Sequence, residues 1–375
     1  MNAFRQYGFV RAVIFVSSYF CAISSSAAQT EGKSPAANIP EHRFTGTIRI
    51  SGNHHMAALM KRWESGFKKI HPQIQFATTL NGSAAGIYGL DMRVADIALM
   101  GRPLHPYERY GNYERAWVYP VEMEVATGSE KIPGKSAAYA ILVHRDNPVT
   151  KLTLAQLDGI FGAERGGGWN ALTWETKAAR TRDKNIRSWG QLGVAGTLKD
   201  QPIRVYAPPL QGAGTITYFQ TRVFGGGAMW NEDLREYADR EKMLADLAAD
   251  PAGIAVTALG NGYAGTKAVA LAATEGGHFI ALTRANVAAR HYPLARPVYM
   301  VVTIDNEKSD VAAPHLAPHI APHIRQFLRY VLSREGQHEV TRDGVYLPLS
   351  VAVADAQRRK IDAMEIPPEL GLILK

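Results

Sequence analysis

Two periodicities alternate through residues 47 to 100, and no other feature of the chain limits its fold so tightly. Thr47-Ile48-Arg49-Ile50 reads as a strand. Met56, Leu59, Met60, Trp63, Phe67 and Ile70 then fall at the i, i+3, i+4 spacing of a helix with one apolar face. After His71-Pro72 the strand pattern returns at Ile74 to Thr78. A second helix follows Asn81-Gly82, and Ala95 to Met100 forms a third strand. A β-α-β-α-β order predicts an α/β fold with a mostly parallel sheet flanked by helices, because parallel neighbours need a helix-length crossover between them.

The three strands run out into short polar turns, Ser51-Gly52-Asn53-His54-His55, Asn81-Gly82-Ser83-Ala84-Ala85-Gly86 and Gly101-Arg102-Pro103. Ligands of open α/β sheets bind outside the carboxyl ends of the strands. The first two turns lead straight into helices, whose unpaired N–H groups and positive dipole ends suit an anion. The same logic recurs downstream. A strand at 139–143 precedes a helix containing Leu154, Leu157, Ile160 and Phe161, which Thr153 is placed to cap. A strand at 203–206 leads through Gln211-Gly212-Ala213-Gly214-Thr215 to a helix over 216–224, a longer helix is expected over 232–249, and 254–256 is a short strand. Towards the C-terminus, 297–302 reads as a strand, 324–332 as a helix and 344–349 as extended.

The N-terminus places the chain. Arg5 and Arg11 precede the apolar run Ala12 to Ile23, and Ser24-Ser25-Ser26-Ala27-Ala28 supplies small residues for cleavage, the pattern of a secretory signal peptide over 1–28. The run is about a dozen residues, too short for the ~20 that cross a bilayer. Cleavage near Ala28 removes Cys21, the one cysteine, so disulfides, thiolate metal sites and cysteine nucleophiles are excluded from the mature chain. It also removes two arginines and no acid, lowering the formal charge from +8 to +6. That excess favours anionic partners. Residues 29–43, polar and proline-bearing, read as a flexible leader.

Over residues 45 to 350 the chain resembles the phosphate-binding branch of the periplasmic solute-binding proteins that serve ABC transporters. The landmarks are Ile50-Ser51-Gly52, Asn81 to Gly86, Ala95-Asp96-Ile97-Ala98, Leu152 to Gly162, Trp189-Gly190-Gln191-Leu192-Gly193, Arg296-Pro297-Val298-Tyr299 and Gly344 to Leu349, in that order. The resemblance implies a type II two-lobed fold with the ligand cleft between lobes. Residues 44–138 plus 297–375 would form lobe 1. Residues 139–296 would form lobe 2, with a basic insertion near 163–187. Crossings near 138–148 and 290–297 would act as a hinge that closes on ligand.

The resemblance also implies a ligand set. Matched position by position, it comprises Asn53 and His54, Ser83, Arg102, and Gln211, Gly212, Ala213, Gly214 and Thr215. The sequence departs from the family pattern where Asn53-His54-His55 replaces the usual hydroxyl residues and Ala213 replaces a serine. Pro209 and Gln211 stand where an arginine and an acid are usual. Hydrogen bonds to an ionised group contribute ~1.5–3 kcal/mol each, so these changes bear on affinity more than on fold.

The implied function is capture of phosphate or a related oxyanion in the periplasm and its delivery to an ABC permease in the inner membrane, by a monomer without cofactor, metal or nucleic-acid partner. An alternative keeps the fold as a binding or sensor subunit for an organic or non-phosphate ligand. An enzyme such as a phosphate-ester hydrolase has less support, since the chain has no Gly-x-Ser-x-Gly elbow, His-Glu-x-x-His or P-loop. Two other segments are absorbed by neither reading. The stretch at 163–187 reads as an exposed loop. His315, His319 and His323 repeat four apart, but Pro314, Pro318 and Pro322 interrupt any helix there, so an extended surface segment is expected.

Overall fold

The structure is a computed structural model and describes residues 34–40, 43–116, 119–129, 132, 135–170, 173–210, 214–227, 229–258, 264–303 and 320–363. The expected signal peptide at 1–28 lies outside these residues, as do Gln211, Gly212, Ala213, His315 and His319. No helix among the described residues is long and apolar enough to cross a membrane.

The first block runs β1 (Gly46–Gly52), α1 (Ala57–Ile70), β2 (Ile74–Thr79), α2 (Ser83–Asp91), β3 (Ile97–Met100), α3 (Pro106–Ala116) and β4 (Val121–Thr127). The second runs β5 (Ala140–His144), β6 (Lys151–Thr153), α4 (Leu154–Phe161), β7 (Gly168–Asn170), β8 (Thr173–Glu175), β9 (Arg204–Ala207), α5 (Gly214–Val223), β10 (Arg235–Glu236), α6 (Arg240–Ala248), β11 (Gly253–Thr257), β12 (Thr266–Ala268), β13 (Ala270–Ala272) and α7 (Arg284–Ala288). The chain then returns through β14 (Pro297–Val302), α8 (Pro322–Val331), α9 (Arg334–Asp343) and α10 (Val351–Ala363).

Two five-stranded sheets result, in the orders β2-β1-β3-β14-β4 and β10-β9-β11-β5-β12. Each is mixed, with four of its five strands running one way and one against them. β1 pairs in parallel with β2 and β3, while β14 runs antiparallel to β3 and β4. β9 pairs in parallel with β10 and β11, while β5 runs antiparallel to β11 and β12. The alternating strands end at one edge of their sheet. β14 enters from the other sheet at that edge, opposite Met100 and Thr127, and must run back against its neighbours. β5 enters the second sheet in the same way, Ala140 lying opposite Thr257 at the end of β11. The first crossing thus lies between Thr127 and Ala140, ahead of the expected 138–148.

Each sheet has its own core. Trp63, Phe67, Phe327 and Val331 pack with Ile48, Ile50 and Met300 in the first; Phe161, Trp189, Phe219 and Phe224 pack with Ile141, Val205 and Ile254 in the second. Each such fully buried side chain contributes about 1.5–3 kcal/mol. The α1 stripe Leu59, Met60, Trp63 and Phe67 is buried as its spacing predicts, and Trp63 Nε1 donates to Gly336 O at 2.9 Å. Thr153 caps α4 in a capping box with Gln156.

Four local expectations are revised. The helix expected over 232–249 is shorter: Arg235 and Glu236 pair with β9 instead, and the Asp239 carboxylate accepts the Glu241 and Lys242 N–H groups to start α6 at Arg240. Of the leader, residues 34–40 are tied down. Ala36 O accepts the Arg334 N–H at the start of α9, and Asn38 N donates to Glu335 Oε2 at 2.7 Å. The segment at 163–187 is not simply an exposed loop, because Arg165 and Arg180 are buried against Asp158. Pro322 and His323 open α8; proline is accommodated in a first helical turn, where its missing N–H has no intrahelical partner to lose.

Candidate functional site

The turns after β1, β2 and β3 meet at the edge where the chain crosses between sheets. Gly52 lies so close to β3 that a Cβ there would fall 2.2 Å from Leu99 O, and its φ of +137° disfavours any side chain. Gly52 O accepts from Gly82 N and Leu99 O from Asn53 N, both at 2.8 Å, which fixes the first two turns to each other and to β3. Asn53 is buried, and its Oδ1 accepts the His55 N–H to cap the first helical turn. Ser83 is the first residue of α2, and its Oγ accepts from Gly101 N at 3.1 Å.

Gly101 is the point of convergence. A Cβ on it would lie 2.4 Å from Asn53 Nδ2 and 3.2 Å from Ser136 Oγ. Its carbonyl accepts from Ser136 Oγ at 3.0 Å and from Arg296 Nη2 at 3.4 Å. Ser136 and Arg296 belong to the two segments that cross between sheets and were not among the expected ligands. Arg296 did stand in the sequence as a family landmark, whereas Ser136 carries no sequence signal.

The charges around this point differ in how they are compensated. Arg102 is buried, and its Nη1 and Nη2 each donate to the Glu108 carboxylate at 2.7 Å, which also accepts the His105 N–H. The fork expected to face a ligand is thus taken up inside the protein. Burial, then the Arg102 charge, lowers the His105 pKa, with Glu108 opposing. Arg296 is buried as well, over the rings of Tyr139 and Tyr218 at 5.1 and 5.9 Å. It donates to Ala137 O and Gly101 O, and no carboxylate pairs with it among the described residues.

The His54 and His55 rings lie with centroids 4.0 Å apart, tilted by 43°, and Lys135 Nζ donates to His55 O at 2.6 Å. Burial lowers the His55 pKa, and the charges of His54 and Lys135 lower it further. On the second sheet, Tyr218 lies in the early turns of α5 and donates its hydroxyl to Ala295 O, so the α5 N-terminus neighbours Arg296. Gly214 is the first residue of α5 and Thr215 the second; Gln211, Gly212 and Ala213 lie outside the described residues. The structure therefore brings Asn53 and Ser83 to Gly101, with Arg102 next in the chain, while His54 stands exposed beside Asn53. Among the described residues no group of three or more His, Cys, Asp or Glu is arranged to hold a metal ion.

A family model described as the PBP superfamily domain matches residues 28–335. The chain belongs to the PBP superfamily. Within it, the chain is 28% identical over 321 residues to the phosphate-binding protein PstS of Pseudomonas aeruginosa, an overlap covering 84% of this chain and 88% of that protein. It is 25% identical over 242 residues to the protein SphX of Synechococcus elongatus, covering 63% of this chain and 62% of the other. The crystal structure of PstS from Borrelia burgdorferi superposes with a TM-score of 0.51 at 16% identity, covering 81% of this chain and 99% of that one, a likeness of fold. The two sheets and the strand-end site are thus the two-lobed architecture of this superfamily, with the site where the lobes adjoin.

Proposed function

We propose that this PBP-superfamily chain is an extracytoplasmic binding protein, not an enzyme, which captures phosphate between its lobes and delivers it to an ABC permease. Export by the N-terminal signal, residence in the periplasm, action as a monomer and hinge closure over the ligand belong to the same reading. The observation that carries it is Arg296: a buried guanidinium that no carboxylate among the described residues pairs with, where three strand-end turns and the crossing segments converge. A buried charge needs a counter-charge. An oxyanion beside Gly101 supplies it, and Asn53, Ser83, Ser136 and the start of α5 offer polar groups around it. The phosphate-binding relatives support phosphate as that anion.

Closure of Arg102 onto Glu108 favours a second reading, in which the same cleft serves an organic or non-phosphate ligand as a binding or sensor subunit. Calorimetric titration of ligand-stripped protein with phosphate, sulfate, arsenate and organic anions separates the two. Saturable phosphate binding weakened by Arg296→Ala supports capture of phosphate. Silence toward every inorganic oxyanion overturns it.

A further inference from the structure

A second charged cavity lies in the other lobe, where α4 meets the 163–187 segment. Arg165 donates through Nη1 and Nη2 to the two oxygens of Asp158, at 2.8 and 2.6 Å, and this takes up both carboxylate oxygens. Arg180 stands against the same carboxylate, its Nε 3.1 Å from Asp158 Oδ1, and donates through Nη1 to Asn185 Oδ1 at 2.6 Å. The three side chains retain only 5% (Arg165), 7% (Arg180) and 12% (Asp158) exposure. Two buried guanidiniums therefore share one carboxylate. Arg165 Nε and Arg180 Nη2 have no hydrogen-bond acceptor among the described residues, and Arg180 Nε has only its ion-pair contact with Asp158. Leaving buried donors unpaired is unfavourable, and one explanation for such groups is an ion that belongs beside them.

These residues line a cavity of about 810 Å³. Its rim adds Lys177, Lys184 and Arg222 against Asp183 and Glu275, so the lining as a whole is positive. Burial lowers the Arg180 pKa; Asp158 opposes this and Arg165 adds to it. Arg187 has a different role. Its Nη atoms donate to the Gly159, Ile160, Ile186 and Gly162 carbonyls and close the C-terminal end of α4. Arg165 is held over the Phe224 ring, its guanidinium carbon 5.6 Å from the centroid. The pair is thus built into the lobe rather than scattered on its surface.

We propose that this cavity is a second anion site, at which Arg165 and Arg180 hold phosphate or the phosphoryl group of an ester. The donors left over, Arg165 Nε and Arg180 Nη2, suit such groups because charge-assisted hydrogen bonds to phosphoryl oxygens are strong. The site is independent of the cleft: it uses other residues and needs no assumption about what Arg296 holds.

The test follows the side-chain Nε–H signals of Arg165 and Arg180 by nitrogen-15 NMR in the mature chain, with calorimetry in parallel. Inorganic phosphate and phenyl phosphate are the probes. Both signals are expected to move on titration, and to do so equally in an Arg296→Ala variant, where the cleft is impaired. Calorimetry of the unmodified chain should show an event beyond the cleft, weakened at least about tenfold by Arg180→Gln, the loss of one charge-assisted hydrogen bond. Movement with both probes assigns the site to the phosphoryl group itself, and movement with phenyl phosphate alone assigns it to esters. Signals unmoved by either probe overturn the proposal. So does a second event indifferent to Arg180→Gln in a folded variant; should that variant not fold, the signals of the unmodified chain decide.

Discussion

Arg102 and Arg296 are both buried arginines beside Gly101, one following it in the chain and the other reaching its carbonyl from the crossing segment. They differ in what surrounds the guanidinium. Arg102 meets Glu108 in a two-point pair, whereas among the described residues Arg296 meets only aromatic rings and backbone carbonyls. What a buried arginine offers a ligand thus depends on how far nearby carboxylates already balance its charge. With Glu108 beside it, Arg102 is held in a two-point ion pair; among the described residues Arg296 has no carboxylate partner, which is the basis of the anion site proposed there.

The contrast is broken most directly at Arg102. Arg102→Ala leaves the Glu108 carboxylate buried and alone, and is expected to cost about 3–5 kcal/mol of stability. Changing both, as Arg102→Met with Glu108→Leu, should restore much of it; chemical denaturation measures both. If the single variant is as stable as the unmodified chain but binds phosphate far more weakly, the roles assigned to the two arginines are reversed.

Arg296→Ala tests the other half. It is expected to weaken phosphate binding by ~1.5–3 kcal/mol, roughly 10- to 150-fold, as read by calorimetry. Unchanged affinity removes Arg296 from the site. Ser136→Ala, which loses a neutral hydrogen bond to the same Gly101 carbonyl, should cost about 1 kcal/mol in thermal unfolding.

The smallest effect concerns His55. Its pKa is lowered below 6.5, so folding favours the neutral ring. The stability this contributes is complete above pH 6.5 and is lost as pH falls through the lower folded value. His55→Gln should flatten that decline in denaturation midpoints measured across the acid range. A bound anion favours the charged ring instead, so phosphate binding at about pH 6 should take up protons, detectable as a dependence of the calorimetric heat on the buffer. A heat independent of buffer would place His55 outside the anion's field.

Much of the fold was legible because its signals are local. The α1 stripe from Leu59 to Phe67, the turn glycines and the Thr153 cap depend on neighbours within a turn or two, so spacing alone located them. Strand direction was not legible in the same way. β5 and β14 look like any apolar strand, and only their entry from the other lobe makes them antiparallel. The helix expected over 232–249 failed for a related reason: Arg235 and Glu236 pair with β9 across the sheet.

For the site, the turns that carry Asn53, Ser83 and Arg102 could be read from strand ends followed by helices. The fate of each side chain could not. Glu108 lies six residues beyond Arg102, in α3, and Ser136 and Arg296 are separated by the whole of the second lobe.

The sequence by itself determined the alternating elements, the polar turns at the strand ends and the excess of positive charge, because periodicity and turn chemistry act over a few residues. The tertiary structure decided which strands run backwards, which arginine is ion-paired and which, among the described residues, is not. Charge compensation and strand direction depend on groups that are remote in the chain and meet only when both crossings bring the lobes together.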